Sequence, residues 1–261
     1  MFYSLFSVFI AIGLFLGMLL LIEIGRRAGI RRASDDAEGA RAGLGAIDAA
    51  VYSLLGLLIA FTFSGAAMRF DARRQLAIQE ANNIGTAWLC IDVLPVAAQA
   101  DLREQFRQYL DARLSVARQM PDLEAVKGAL QRCSDLQDAI WTKSVAACGE
   151  SASPLAAMLL LPALNQMIDI VTTRTATAQI HPSWIIFATL LALSLASALL
   201  AGYGMAAARR RSWMHTLGLA AAVSAAVFVI VDLEYPRIGL IRIDAMDQVL
   251  VDLRQSMNKP L

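Results

Sequence analysis

The feature that most constrains this chain is an apolar segment that runs without interruption into a long polar one. Residues 49–68 contain no charged side chain, and no proline follows until Pro95. A helix over residues 49–94 would be about 69 Å long, whereas the hydrocarbon core of a bilayer is about 30 Å thick. We therefore predict a transmembrane helix that continues far into water and forms the stem of an extramembrane body.

Composition indicates that this helix is one of several. The chain is 57% hydrophobic, above the level of about 45–50% in soluble domains. Four segments are nearly free of charge and about 18 residues or longer, as a spanning helix requires. The predicted fold is an all-α, polytopic membrane protein with four transmembrane helices. A helical extramembrane domain lies between the second and third, with its stem continuous with the second. The spans are assigned to residues 1–24, 48–68, 182–208 and 214–231, and the domain to residues 69–181.

Apolar residues in the extramembrane segment and in the tail, residues 232–261, recur at the spacing of amphipathic helices. The tail helix is expected to dock on the domain or to lie on the membrane surface. The stripe in the domain consists of Leu102, Phe106, Tyr109, Leu110 and Leu114, and the stripe in the tail of Met246, Val249, Leu250, Leu253 and Met257.

Two of the three cysteines fall within one predicted helix, residues 122–148. Fifteen residues of helix separate Cys133 from Cys148, so their sulfurs would be about 22 Å apart. A disulfide requires Cα atoms within about 7 Å of each other. Both cysteines are therefore predicted to be free thiols.

Arginine predicts the orientation of the chain. The segment 25–47, assigned as a short basic loop, contains five arginines, and the loop 209–213 contains three. Short loops rich in Arg and Lys face the cytoplasm, and an even number of spans separates these two. The helical domain and both termini are then extracytoplasmic. Arg69, Arg73 and Arg74, just beyond the second span, favour the opposite orientation. The excess of arginine over lysine and the abundance of alanine are typical of a GC-rich bacterial genome, so we expect the bacterial inner membrane.

The sequence contains no motif that predicts catalysis, metal binding or nucleic-acid binding. A net charge of +1 gives no reason to expect nucleic acid as a partner. Neither the two histidines nor the three cysteines have metal-ligand spacing, and no phosphate loop, HExxH or GxSxG motif is present. We expect no metal, no cofactor and no enzymatic activity.

One face of the second predicted span carries small residues, which suit either close helix packing or a narrow pore. If the protein is a channel, these residues line it, and a phenylalanine beside them forms a hydrophobic constriction. In the plainer interpretation they are packing residues and the phenylalanines meet lipid or a neighbouring helix. The pore-lining candidates are Ser53, Gly56, Ala60, Phe61, Phe63 and Ser64.

Polar residues on the stem, and on the helix that returns to the membrane, form a second candidate group. Facing one another, they would make either a polar vestibule or an interhelical network of hydrogen bonds and ion pairs. The candidates are Arg73, Arg74, Glu80, Asn83, Asn165, Asp169 and Arg174.

The block LLGLLIAFTFSGAAMRFDARRQLAIQEANNIGTAWLCIDVLP resembles the signature of a bacterial membrane-protein family called bestrophin-like. The resemblance continues in LLPALNQMIDIVTTR, in Gly202-Tyr203-Gly204 and in DLEYPRIGLIRID, and covers about residues 51–244. True bestrophins, to which this family is more distantly similar, are pentameric anion channels. The resemblance thus implies a homo-oligomeric channel for small anions. Bestrophins place their helical body in the cytoplasm, opposite to the arginine count here.

Two classes of function follow from these features. The first is a homo-oligomeric channel in the bilayer, lined by the second span and conducting small inorganic anions. The second is a non-conducting sensor, scaffold or accessory subunit whose helical domain binds another protein, for which the apolar residues 155–161 offer a surface. The size and central axis of the purified particle would separate the two.

Overall fold

The protein is all-α in the part of the chain that the computed structural model describes: residues 5–32, 38–119, 122–151, 154–207, 212–236, 239–241 and 244–258. This confirms the predicted fold class. The α-helices are α1 (Phe6–Arg32), α2 (Glu38–Leu89), α3 (Val96–Gln119), α4 (Leu123–Glu150), α5 (Leu155–Gln179), α6 (Trp184–Gly204), α7 (Trp213–Glu234) and α8 (Asp244–Ser256).

The stem is continuous, as predicted. α2 is a single helix of 52 residues, followed by a 3-10 turn, Cys90–Val93. Leu94 then turns to extended backbone, with φ −83° and ψ 161°, because the ring of Pro95 disfavours helical backbone in the residue before it.

α1 and α2, the helices on either side of the predicted basic loop, are longer than their apolar segments. α1 continues to Arg32 and α2 begins at Glu38, so both extend into residues 25–47, which the sequence assigns to a loop. That assignment followed the charges, which mark where lipid ends and not where a helix ends. Ala, Glu and Arg are all good helix formers. Arg209, Arg210 and Arg211 of the other arginine-rich loop lie outside the described residues.

The chain divides into two compact units. The membrane unit comprises Met1–Phe70 and His181–Ile241, and the extramembrane unit comprises Asp71–Ile180 and Arg242–Leu261. Within the described part of the chain, four helical stretches are long and apolar enough to cross a membrane, and they lie within Phe6–Arg31, Gly45–Val93, Leu155–Gly204 and Trp213–Glu234. This number agrees with the predicted four spans and makes the protein a multi-pass membrane protein.

In the membrane unit, α1 packs against both α6 and α7. α1 and α6 approach through glycine: a Cβ on Gly202 would lie 2.0 Å from the carbonyl oxygen of Ile22, and one on Gly25 would lie 2.1 Å from that of Leu199. Small residues allow such contact between membrane helices. α2 is the least enclosed of the spanning helices. Only 6% of its most apolar segment is buried within the chain, against 50% for α7.

In the extramembrane unit, the apolar stripes predicted on α3 and α8 face a shared core; the side chain of Met246, a predicted member of the second stripe, lies outside the described part. Phe106, Tyr109 and Leu110 are fully buried on α3, and Leu250 and Met257 close the same cluster. The C-terminal helix therefore docks on the domain, one of the two arrangements expected for it.

α4 is one helix capped by Asp122, whose Oδ1 accepts hydrogen bonds from the backbone N–H groups of Glu124 and Ala125. Cys133 and Cys148 both lie on it and are free thiols, as predicted. Cys90, for which no prediction was made, is also a free thiol.

Candidate functional site

The pore-lining candidates all lie on the surface of the chain. Ser53, Gly56, Ala60 and Ser64 are exposed and, at about 100° per residue, fall within about 80° of one another around the helix axis. We call these four residues the small face of α2. Phe61 and Phe63, which are 69% and 45% exposed, flank the small face on opposite sides.

Beside the small face, α2 presents larger apolar side chains. Leu54, Leu57, Phe61 and Met68 are between 52% and 70% exposed and lie together on one flank of the helix at the same spacing. A membrane-spanning helix thus leaves two chemically different surfaces uncovered by its own chain.

The polar candidates come together only in part, around the carboxylate of Glu80. This side chain of α2 is fully buried and receives arginines from two other helices. Arg113 of α3 donates from Nε to Oε1 at 2.5 Å and from Nη2 to Oε2 at 3.1 Å. Arg174 of α5 donates to Oε2. The cluster ties three helices together and encloses two positive charges with one negative charge.

Electrostatics hold this cluster in its ionised form. Burial by itself would raise the pKa of Glu80, but the charges and hydrogen bonds of Arg113 and Arg174 outweigh it and leave the pKa below its ordinary value. Burial likewise disfavours the charged form of Arg113, and Glu80 more than compensates, so the pKa of Arg113 is raised. Tyr109 beside them has a pKa raised by burial, and its Oη accepts a hydrogen bond of 3.1 Å from Gln137. The arrangement is an ion-pair lattice.

The other predicted residues have separate partners. Arg73 is buried and donates to the carbonyl oxygen of Ile180 at 3.0 Å. Asn83 donates to the carbonyl oxygen of Gln166 on α5 at 2.9 Å. Arg74 pairs with Asp71 at 3.4 Å and is exposed. Asn165 and Asp169 are also exposed, on α5.

Sequence reasoning missed Arg113, although a signal was present. Arg113 lies three, four and seven residues after Leu110, Tyr109 and Phe106, so it is a charged residue on the apolar stripe of α3. A charge in such a position is buried and requires a partner.

Two further buried carboxylates lie in the membrane unit, at the end of α7. Glu234 accepts hydrogen bonds from Arg69 at 2.8–2.9 Å and lies 3.1 Å from Nδ1 of His181. Asp232 accepts from the hydroxyl of Ser7 at 2.6 Å and from the backbone N–H groups of Leu240 and Ile241. Arg237, three residues beyond Glu234, lies outside the described residues.

Metal chemistry finds no support among the described residues, because no three His, Cys, Asp or Glu side chains there come together as a site.

These features define an all-α, multi-pass membrane protein with a helical extramembrane unit and an uncovered membrane helix. The chain belongs to the bestrophin-like family, since the family model of the bestrophin-like domain matches residues 13–246. The resemblance seen in the sequence is thereby confirmed, and membership of this family fits a protein without a catalytic role.

Solved structures establish the fold independently. A crystal structure of a bacterial bestrophin homologue from Klebsiella pneumoniae, a variant with one substitution, matches with a TM-score of 0.68 and 14% identity over 94% of this chain and 99% of that chain. Another structure of a bestrophin homologue from this organism has a TM-score of 0.67 and 13% identity over 92% of this chain and 97% of that chain. No curated protein matches the chain. At these identities the likeness concerns the fold.

Proposed function

We propose that this protein is a homo-oligomeric membrane channel for small inorganic anions, with α2 of each subunit facing a central axis. The bestrophin-like family and the fold of bacterial bestrophin homologues support a channel of this general type. The observation that carries the proposal is the small face of α2, which the chain leaves exposed in a membrane-spanning helix.

The exposed residues of α1 show what a lipid-facing surface looks like in this protein. Phe9, Ile12, Leu16 and Leu20 are all large, and all are more than half exposed. The small face of α2 carries hydroxyl groups, an alanine and a glycine in their place. A face of this kind suits a water-filled axis, and the large apolar flank beside it suits a neighbouring subunit.

The charge balance of the extramembrane unit supports anions as the permeant species. Glu80 neutralises only one of the two arginines that bind it. The surplus positive charge lies in a region of low dielectric, where its field is screened less than at the surface. Of the predicted vestibule residues, we assign Glu80 and Arg174 to this lattice, and Arg73 and Asn83 to interhelical hydrogen bonds. The exposed Arg74, Asn165 and Asp169 remain vestibule candidates.

Cysteine modification tests the pore directly, in a background with the native cysteines replaced. Ala60→Cys and Ser64→Cys should each lose conductance when a negatively charged thiol reagent is added to the reconstituted protein, because a water-accessible thiol ionises and reacts. Leu16→Cys, on the exposed face of α1, is the matched control and should keep its conductance. Equal insensitivity of all three would argue against α2 as the lining, and the absence of any ion flux would refute the channel.

We further propose the bacterial inner membrane as the location, with the extramembrane unit and both termini outside the cytoplasm. An impermeant thiol reagent should then label Gln119→Cys in intact cells and leave Ser34→Cys and Ser212→Cys unlabelled. Labelling of Ser34→Cys alone would place the helical body in the cytoplasm.

A non-conducting scaffold is the second candidate. It is favoured by Leu155, Met158 and Leu159 at the start of α5, which are 52%, 71% and 44% exposed in the extramembrane unit. A monomeric or closed dimeric particle in detergent would support it, whereas a ring with an open axis supports the channel.

A further inference from the structure

The charged side chains of α2 separate into two groups. Between residues 49 and 89 the helix has five of them. Three are bound to other parts of the protein: Arg69 to Glu234, Arg73 to the carbonyl oxygen of Ile180, and Glu80 to its two arginines.

The remaining two charges, Asp71 and Arg74, face outward. Their side chains are 62% and 45% exposed, and they form an ion pair with an Nη1–Oδ1 distance of 3.4 Å. In this stretch, all of which the structure describes, they are the two most exposed charged side chains of α2.

The position of the pair on the helix follows from the helical repeat. Asp71 comes 18 residues after Ser53, and Arg74 comes 18 residues after Gly56. Eighteen residues are about five turns, so each charged residue lies on the same side of α2 as the corresponding member of the small face. Ile78 and Asn82 likewise come 18 residues after Ala60 and Ser64, and both are exposed.

The geometry points to Asp71 and Arg74 as the charge filter of the channel, with Arg74 favouring anions and Asp71 opposing it. This inference rests on the proposed channel. Around a symmetry axis each residue becomes a ring of like charges, and rings of charged side chains select ions by sign. Because the two rings lie one turn apart and pair with each other, they offset one another and the discrimination between anions and cations is modest.

Reversal potentials of the full-length protein, reconstituted in planar bilayers under a potassium chloride gradient, test this assignment. Asp71→Asn should raise the chloride-to-potassium permeability ratio about fivefold, and Arg74→Gln should lower it by about the same factor, the effect of one unit charge at contact distance in water. The double variant should return close to the wild-type ratio, since it removes both charges.

Asp101 and Lys143 provide a matched control. They form an ion pair between α3 and α4 with side-chain exposures of 61% and 44%, nearly the same as those of Asp71 and Arg74, but neither residue is on α2. Asp101→Asn and Lys143→Gln change the net charge identically and should leave the permeability ratio unchanged.

The outcomes separate this inference from the channel itself. Opposite shifts for Asp71→Asn and Arg74→Gln, with unchanged controls, support the filter. If the wild-type protein conducts and these two variants behave like the controls, the filter is wrong and the channel stands. If the wild-type protein carries no ions, both the charge filter and the proposed channel are wrong.

Discussion

In the membrane unit α1 and α6 approach each other through glycine, whereas the extramembrane unit packs its helices through large side chains. α1 and α6 meet where Gly202 and Gly25 lack a Cβ, with backbone against backbone. In the extramembrane unit the contacts are made by side chains such as Phe106 and Trp88, whose rings meet edge to face at 6.2 Å. The hydrophobic effect drives the second kind of packing, but between helices in lipid it is absent and close approach must replace it.

Asp232 and Glu80, one buried carboxylate from each unit, differ in the same sense, although Glu234 of the membrane unit also pairs with an arginine, Arg69. Asp232 in the membrane unit is satisfied by a hydroxyl and two backbone N–H groups, and Gly239 leaves it room, since a Cβ there would lie 2.5 Å from Oδ1. Glu80 in the extramembrane unit is satisfied by two charged side chains instead. The burial of Asp232 should therefore depend on backbone geometry, and that of Glu80 on charge.

The largest effect should come from Glu80→Gln, which leaves Arg113 and Arg174 without their counter-charge. Removing one partner of a buried ion pair costs about 3–5 kcal/mol. The midpoint of chemical unfolding in detergent measures this loss. Glu104→Gln removes a carboxylate that is 56% exposed and pairs with Arg107, and it should have little effect. Similar stability of the two variants would show that charge does not hold this unit together.

The next largest effect should come from Gly202→Ala in the membrane unit. The added methyl group would collide with the backbone of Ile22, and overpacking of this kind costs about 1–3 kcal/mol. Gly13→Ala on α1 is the control, because nothing lies within 4 Å of its Cβ position. Equal unfolding temperatures in detergent for the two variants would mean that α1 and α6 separate without cost.

Acid should reduce the difference in stability between the wild-type protein and Glu80→Gln. A carboxyl group with a lowered pKa contributes stability that is fully present above its unfolded pKa and is lost as the pH falls through its folded pKa. For Glu80 the ordinary value is 4.5, so the advantage of wild type over Glu80→Gln should be constant above about pH 5 and shrink below that. Unfolding curves at several pH values give this difference, and a gap that widens in acid would contradict the assignment.

The smallest effect should come from Arg254→Gln, which removes the two hydrogen bonds from α8 to Asp111 at 2.9 and 3.0 Å. The pair is partly exposed, so the expected loss is about 0.5–1 kcal/mol. Lys127→Gln, in the more exposed pair with Glu124, should leave stability unchanged. Thermal unfolding compares the two, and a larger loss for Lys127→Gln would overturn the ranking of ion pairs by burial.

Several of these features were visible in the sequence. The continuity of α2 followed from the absence of proline before Pro95, and the free thiols followed from the length of one helix. Arg113 was visible as a charge on an apolar stripe, but its partner was not. Gly202 belongs to a motif that the resemblance singled out, yet its contact with Ile22 joins residues 180 positions apart, which no local pattern specifies.

The sequence by itself determined the class of protein: all-α, four spans and a stem that leaves the membrane. These properties depend on consecutive residues, because the length of an apolar run and the absence of helix breakers decide whether a helix spans a bilayer. Only the tertiary structure decided which charges are enclosed and which face outward. Glu80 meets Arg113 and Arg174 across 33 and 94 residues, whereas Asp71 and Arg74 pair with each other on one exposed turn. Burial is a property of the packed helices, so the five charged residues between residues 49 and 89 of α2 acquired different environments from folding and not from their spacing.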